Sequence, residues 1–312
     1  MKKGDIIERE KKVALKLSLL SAFFGEVVSG SSPPLEIINP ITFLFIWGLY
    51  GSGVLLVREV WVRFRGYGSL MLLGVAYGII EEGVAVKSFF DPNWEDLGKL
   101  GEYGRFAGIN FVWAVWLSIF HAVFSITIPI LLIHALYPEF REKTLLSREG
   151  TKKVFAIFIF VVFLIFIFQN YHPPLFQYLA FLLLSVFLIG FASKGVRAEF
   201  YSIRFFSLKN NYIFGVLFTV SMFILFFVTP ETSIHPLVPC MVAIYLFLIL
   251  YGRFETINYE NFNPKETVKL VLGLLTPFLI FFDIVLELNG SVGMSVVGVV
   301  TFLWIFRFLR TL

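Results

Sequence analysis

The chain has 312 residues, of which 58% are hydrophobic and only 15% are charged. A water-soluble domain is about 45–50% apolar and about 25% charged, so a soluble enzyme, a nucleic-acid-binding module and a disordered protein are excluded as descriptions of the whole chain. The net charge of +4 and the absence of a P-loop or a dinucleotide fingerprint give no reason to expect a nucleic-acid or nucleotide partner. The single cysteine, Cys240, excludes an intrachain disulfide.

Long apolar runs dominate the sequence. A helix needs about 20 apolar residues to cross the hydrocarbon core of a bilayer, and we identify ten such runs. They lie at 13–29, 40–60, 68–88, 107–136, 154–171, 175–193, 211–229, 236–251, 269–287 and 291–308. The sequence therefore predicts an all-α, polytopic protein of the cell membrane, with the lipid bilayer as its partner.

Basic residues fall on one side of these runs. They precede the first run and follow the second, fourth, sixth, eighth and tenth runs. Examples from the first five of these segments are Arg9, Arg65, Arg141, Arg204 and Arg253. The opposite side has only Lys87, Lys99 and Arg105. Because cytoplasmic segments are enriched in Lys and Arg, both termini are predicted to be cytoplasmic. A cleaved signal peptide at 13–29 is the less favoured alternative, since Glu26 interrupts that run.

Ionisable residues within the runs are concentrated in residues 1–150, which include the first four runs. Residues 151–312 are rich in Phe and Leu and are typical of a scaffold. Because charged groups are costly inside a bilayer, each one is a candidate site residue. We predict one integral unit whose polar site belongs to its first half.

The third run contains two adjacent glutamates, Glu81 and Glu82. Gly74, Gly78 and Glu82 are four residues apart, so they share one helix face, and glycines at that spacing allow another helix to approach closely. Glu82 is therefore expected to face a neighbouring helix, whereas Glu81 shares its face with Tyr77. Two adjacent carboxylates inside the bilayer require a proton or a cation.

The fourth run has a polar stripe, made of Asn110, Ser118, His121 and Ser125 at helical spacing. Pro129 has no N–H to donate to the carbonyl of Ser125, so that oxygen is left as a free acceptor. His121 is predicted to lie near the middle of the membrane.

Three further acids complete the candidate set. Glu26 lies near the outer end of the first run, Glu36 follows a Ser- and Pro-rich loop, and Asp283 lies in the ninth run. Glu36 and the serines before it are expected to form a wall over an outward cavity. The structural alternatives are a carboxylate at the outer interface for Glu26, a rigid turn for Glu36 and a hydrogen bond to a neighbouring helix for Asp283. The segment 91–100 is predicted to form a short helix on the membrane surface.

The residues 81–125 resemble the CAAX-protease and bacteriocin-processing family of membrane proteases. Glu81 and Glu82 match its paired glutamates, and His121 matches the histidine of its second motif. Val86 and Leu117 stand where that family has arginine and phenylalanine. The resemblance implies that Glu81 or Glu82 activates a water molecule and that His121 helps to stabilise the oxyanion.

Three functions fit these residues. The first is a membrane-embedded hydrolase, in which a divalent metal held by Glu26, Glu82 and His121 could replace part of the acid–base role. The second is a secondary transporter coupled to protons or cations through Glu81, Glu82 and His121. The third is a membrane scaffold or assembly protein, whose buried polar cluster only fixes helix packing. The residues predicted to support the site with polar groups are Asn110, Ser118, Ser125, Asp283 and Glu36.

The predicted orientation can be tested with reporters. A reporter fused after Leu312 should be cytoplasmic, and a tag inserted at Gly98 should react with an impermeant reagent from outside the cell, because the basic segments all fall on one side. Protease protection in intact and lysed cells measures both positions. A C-terminal reporter found outside the cell contradicts ten spans with cytoplasmic termini.

Overall fold

The computed structural model describes residues 3–198, 209–258 and 260–312, and Arg204 lies outside these residues. The described chain is almost entirely helical, as predicted. Helix α1 comprises Lys3–Ala22 and a π-helical turn at Phe23–Val27. The remaining long helices are α2 (Pro40–Phe64), α3 (Tyr67–Ala85), α4 (Phe111–Leu136), α5 (Arg148–Phe168), α6 (Leu175–Ala192), α7 (Asn211–Glu231), α8 (Leu237–Ile257), α9 (Pro264–Leu288) and α10 (Met294–Thr311).

Among the described residues, the nine helices α2–α10 are long and apolar enough to cross a membrane. Helix α1 is not among them because it contains several charged side chains, including Lys16 and Glu26. It nevertheless packs inside the bundle, where Val13, Leu17 and Phe24 are buried. The ten predicted runs each coincide with one helix, and the crossing of α1 stays a prediction.

Helix α4 is the centre of the bundle. In its most apolar stretch 94% of the residues are buried, compared with 11% in α5 and 17% in α6. Helix α3 packs against α4 through its glycines. A Cβ atom on Gly74 would lie 2.8 Å from the Cα atom of Ala122, and one on Gly78 would lie 3.1 Å from the Cβ atom of His121. The glycine face of α3 therefore lies against α4, as its spacing predicts.

Buried hydroxyl groups connect α4 to its neighbours. The Ser21 hydroxyl of α1 donates a hydrogen bond to the carbonyl oxygen of Ser125 at 2.6 Å. That carbonyl is the acceptor that Pro129 leaves free. The Tyr251 hydroxyl of α8 likewise donates to the carbonyl of Ala122 at 3.0 Å. These bonds hold α1 and α8 in register with the central helix.

A buried ion pair fixes the loop that follows α4. Arg58 and Glu59 of α2 are 0% and 1% exposed, and Arg58 Nη1 lies 3.2 Å from Glu59 Oε1. Arg58 Nη2 donates to the carbonyl oxygens of Phe140 and Lys143, and the Leu145 N–H donates to Glu59 Oε1. Because both charges are hydrogen-bonded to this loop, its position on α2 is fixed.

Helices α7 and α9 are closest near the predicted cytoplasmic side. A Cβ atom on Gly215 would lie 2.6 Å from the Leu270 carbonyl oxygen, and one on Gly273 would lie 2.1 Å from that of Tyr212. Toward the opposite side, these helices meet through phenylalanine rings, with 4.8 Å between the ring centroids of Phe223 and Phe278. The backbones are therefore in contact at one end and separated by side chains at the other.

The loop between α3 and α4 folds over the predicted outer side. It contains a 3₁₀ helix, Glu95–Gly101, and two short antiparallel strands, β1 (Arg105–Phe106) and β2 (Ile109–Asn110). Leu97 and Leu100 are 4% and 3% exposed. The prediction of a helix lying on the membrane surface is therefore wrong, because its leucines pack into the protein.

The contact between α3 and α4 can be tested with a matched pair of alanine variants. Gly74→Ala should destabilise the fold by about 1–3 kcal/mol, because the new methyl group meets backbone atoms of α4. Gly190→Ala, in α6, should be neutral or slightly stabilising, because nothing lies within 4 Å of its new methyl group. Thermal unfolding in detergent measures both. Equal unfolding temperatures for the two variants would contradict the close packing.

Candidate functional site

A cavity of about 770 Å³ lies between the helices on the predicted outer side. Helices α1, α2, α3, α4, α5, α7 and α9 and the loop between α3 and α4 all contribute to its wall. Four residues that the sequence predicted as site residues line it, namely Glu26, Glu81, Glu82 and His121. A pocket of this size is large enough for a small organic ligand or a peptide segment.

At the base of this cavity, two carboxyl groups flank one imidazole. Glu82 Oε1 lies 3.0 Å from His121 Nε2, and Glu81 Oε2 lies 3.2 Å from His121 Nδ1. The sequence placed Glu81 on a different face from Glu82, whereas the structure brings both to His121. The π-helical turn Ile79–Ala85 contributes to this, because more residues per turn reduce the rotation between neighbours, and the two carboxyl groups reach opposite nitrogens of the ring.

Glu82 and His121 are held by further hydrogen bonds. The Ser88 hydroxyl donates to Glu82 Oε2 at 2.5 Å, and Trp113 Nε1 donates to the Ser88 hydroxyl at 3.1 Å. The Ser125 hydroxyl lies 3.0 Å from His121 Nδ1. Both oxygens of Glu82 and both nitrogens of His121 therefore have partners.

Glu81 differs from Glu82 in this respect. Its side chain is 2% exposed, and among the described residues its Oε2 atom has no hydrogen-bond partner. The short distance to His121 Nδ1 is not a hydrogen bond, because that nitrogen is directed at Ser125. This oxygen is the ion-pair partner of His121 but makes no hydrogen bond, so it can accept one from a substrate or a water molecule that reaches it.

A metal ion is compatible with a different set of residues from the predicted one. Donor atoms of Glu81, Glu82 and His121 lie within 4.8 Å of one another. Glu26 is not in this group, and its Oε2 atom accepts a hydrogen bond from the Ser32 hydroxyl at 2.8 Å. The two carboxyl groups lie at opposite nitrogens of the imidazole. One ion reaches all three side chains only if a glutamate reorients, so the geometry fits proton transfer better than metal binding.

Tyr50 is a site residue that the sequence did not reveal. It lines the cavity, its hydroxyl faces the carboxyl groups of Glu26 and Glu81, and its ring centroid lies 5.9 Å from that of His121. Gly25 makes room for the ring, since a Cβ atom there would lie 2.3 Å from it. Nothing in the sequence separates Tyr50 from the other aromatic residues of α2.

π-helical turns recur around the cavity wall. The described chain contains six, and each contributes at least one lining residue. They are Phe23–Val27, Trp47–Gly51, Ile79–Ala85, His121–Thr127, Ile224–Val228 and Pro277–Phe282. π-helical turns occur frequently at functional sites, because they redirect side chains and leave backbone groups free.

The supporting polar residues have separate roles. Asn110 caps α4 by accepting from the Trp113 N–H, and it donates to the Leu100 carbonyl, so it belongs to the loop and not to a stripe facing the cavity. Ser118 lies at the contact with Gly78, and Glu36 is exposed outside the cavity. Asp283 is fully buried against Gly298 of α10, and among the described residues neither of its oxygens has a hydrogen-bond partner.

The loop between α3 and α4 adds negative charge at the mouth of the cavity. Asp91, Glu95 and Asp96 line it, together with Trp94. Burial raises the pKa of Asp96, and the nearby Glu82 carboxylate raises it further. The loop and the buried glutamates therefore influence one another electrostatically.

Residues 15–288 match a family described as an uncharacterized membrane protein family. The chain belongs to this family. The match includes all the residues that line the cavity. No curated protein and no solved structure matches the chain.

The cluster predicts a specific stability pattern. His121→Ala removes the shared partner of two buried carboxyl groups and should destabilise the fold by about 3–5 kcal/mol. Ser125→Ala removes one hydrogen bond to the same ring and should cost about 1 kcal/mol. Thermal and denaturant unfolding in detergent measure both variants.

A double variant separates charge from packing. Adding Glu82→Gln to His121→Ala should recover part of the lost stability, because one unpaired carboxyl group is removed. Additive losses in the double variant would show that the imidazole contributes only by filling space.

Proposed function

We propose that this protein is a membrane-embedded hydrolase in which Glu81 is the general base. The observation that carries the proposal is the Glu81 carboxyl oxygen, which is buried beside His121 in the cavity without a hydrogen-bond partner. A general base must have a free oxygen within hydrogen-bonding distance of the water that it deprotonates. Glu82 does not meet this condition, because Ser88 and His121 occupy both of its oxygens.

In this reaction, the Glu81 carboxylate accepts a proton from a water molecule in the cavity. The resulting hydroxide adds to the carbonyl carbon of a peptide bond. Because Glu82 and Ser125 already occupy both nitrogens of His121, the ring stabilises the oxyanion through the positive charge of its protonated form and not through a new hydrogen bond. When the C–N bond breaks, the proton passes from Glu81 to the leaving nitrogen, giving a carboxylic acid and an amine. Glu82 holds His121 in its orientation through the 3.0 Å contact to Nε2.

The surroundings support this chemistry. The loop between α3 and α4 lies over the cavity, and aromatic side chains such as Trp116 and Phe120 line its walls, so bulk water is largely kept out. The matches of Glu81, Glu82 and His121 to the motifs of the CAAX-protease and bacteriocin-processing family support the same roles.

A transporter coupled to protons is the second candidate, favoured by a second buried histidine. His134 lies on α4 beyond His121, toward the predicted cytoplasmic side, and is 1% exposed. Neither of its ring nitrogens has a hydrogen-bond partner among the described residues, and its ring stacks on Trp61 at 5.5 Å. Two buried histidines on one central helix fit a proton path across the bundle. The site acids all belong to the first half of the chain, which favours the hydrolase.

Glutamine variants test the hydrolase. Glu81→Gln should abolish cleavage in a library of internally quenched peptides with apolar segments, because glutamine cannot accept the proton. Its unfolding temperature should stay near that of the wild type. Glu82→Gln should reduce the rate less, because it only loosens the imidazole. Glu36→Gln, an exposed acid on the same side, is the control and should leave cleavage unchanged.

Other outcomes identify the alternatives. In a transporter, Glu81→Gln uncouples solute movement from the proton gradient while solute exchange between vesicles continues. In a scaffold, no cleavage or transport is found, and both Gln variants unfold at a higher temperature than the wild type because a buried charge is lost.

A further inference from the structure

The cavity is lined by acids and aromatic rings. Six carboxyl groups line it, from Glu26, Glu81, Glu82, Asp91, Glu95 and Asp96. Among the described residues that line it, His121 is the only basic side chain. A concave site lined by charges of one sign, with walls of low dielectric constant, concentrates ligands of the opposite sign.

Lys87 and Arg105 do not line this cavity, although Arg105 interacts electrostatically with Asp91, one of the lining acids. Lys87 Nζ donates to the carbonyl oxygen of Gln169 at 2.9 Å and lies 4.4 Å from the centroid of the Phe166 ring. Arg105 Nη1 donates to the carbonyl oxygen of Phe90 at 2.8 Å, and its Nε atom donates to Gly101. Both cations are turned to backbone carbonyls, and neither side chain lines the cavity.

Aromatic rings also line this cavity. Trp94 and Trp113 lie in the wall near the acidic loop, and Trp116 and Phe120 lie deeper. The faces of such rings attract cations, most strongly when water is excluded. The volume of about 770 Å³ is far larger than a metal ion needs, and it suits an organic group that combines a positive charge with an apolar body.

The buried Glu81 oxygen beside His121, which makes no hydrogen bond among the described residues, is an independent indication of a ligand. We propose that the cavity recognises a cationic organic group, such as the ammonium group of an amine or of a basic peptide side chain, attached to an apolar body. This inference names the substrate class of the proposed hydrolase and therefore rests on that function. The acidic loop attracts the positive charge, and the aromatic walls hold the apolar body.

Three small probes of similar size test the inference. They are benzyltrimethylammonium, its neutral carbon isostere neopentylbenzene, and the anion 3-phenylpropionate. Binding to the full chain in nanodiscs of uncharged phosphatidylcholine is measured by calorimetry, with empty nanodiscs as the blank. The cation should bind at least about tenfold more tightly than either of the other probes, and its binding should weaken as salt screens the acids. Equal binding of the cation and the neutral probe overturns the proposal.

A matched pair of double variants tests whether the acids that line the cavity are the ones that attract the cationic probe. Glu95→Gln/Asp96→Asn removes two acids that line the cavity and should weaken binding of the cation severalfold. Glu36→Gln/Glu102→Gln removes two acids of the same predicted side that do not line it, and should leave binding unchanged. Equal losses in both variants would mean that the surface charge of the whole face attracts the probe, which contradicts a defined site.

Two further results separate this inference from others. Displacement of the probe by Mg²⁺ at low concentration would show an inorganic cation site and overturn the inference. If the cation binds as expected but no variant or wild-type protein cleaves any peptide, the proposed hydrolase fails while the recognition of a cationic group stands. If cleavage occurs but favours neutral peptides, the proposed hydrolase stands while the recognition of a cationic group fails.

Discussion

Carboxyl groups placed inside a lipid-embedded bundle are the constraint on which the other features of this protein depend. Each costs several kcal/mol unless it has a partner. Glu82 has Ser88 and His121 as partners, and Glu26 has Ser32. The glycines of α3 bring His121 close enough to serve both Glu81 and Glu82. Packing at the centre of the bundle is therefore arranged around a few polar groups.

The sequence predicted much of this arrangement because membranes limit the possible structures. Apolar length alone located the helices, since backbone groups in lipid must be hydrogen-bonded within a helix. Glycine spacing predicted that another helix lies close to α3, which the structure shows to be α4, and Pro129 predicted the acceptor that Ser21 uses. Glu26, Glu82 and His121 were predicted as site residues because charged groups inside apolar runs are costly unless they have a function or a partner.

The sequence did not predict the local geometry. A periodicity of 3.6 residues per turn directs Glu81 away from Glu82, and a π-helical turn reduces that difference. Asn110 looks like part of a helical stripe, but it caps the helix and holds the loop. Leu97 and Leu100 have the pattern of a membrane-surface helix, yet they pack the loop between α3 and α4 against the protein. The orientation or burial of each of these residues depends on tertiary contacts, which a local sequence pattern does not reveal.

The contact of Gly215 with α9 and of Gly273 with α7 fixes the distance between these two helices at one end. Backbone meets backbone there, so no side chain at that point absorbs a displacement by changing rotamer. At the other end, the rings of Phe223 and Phe282 separate the helices with 5.7 Å between their centroids, and rings are able to swing. The spacing of α7 and α9 is therefore fixed by backbone at one end, whereas beside the cavity it depends on the rotamers of phenylalanine rings.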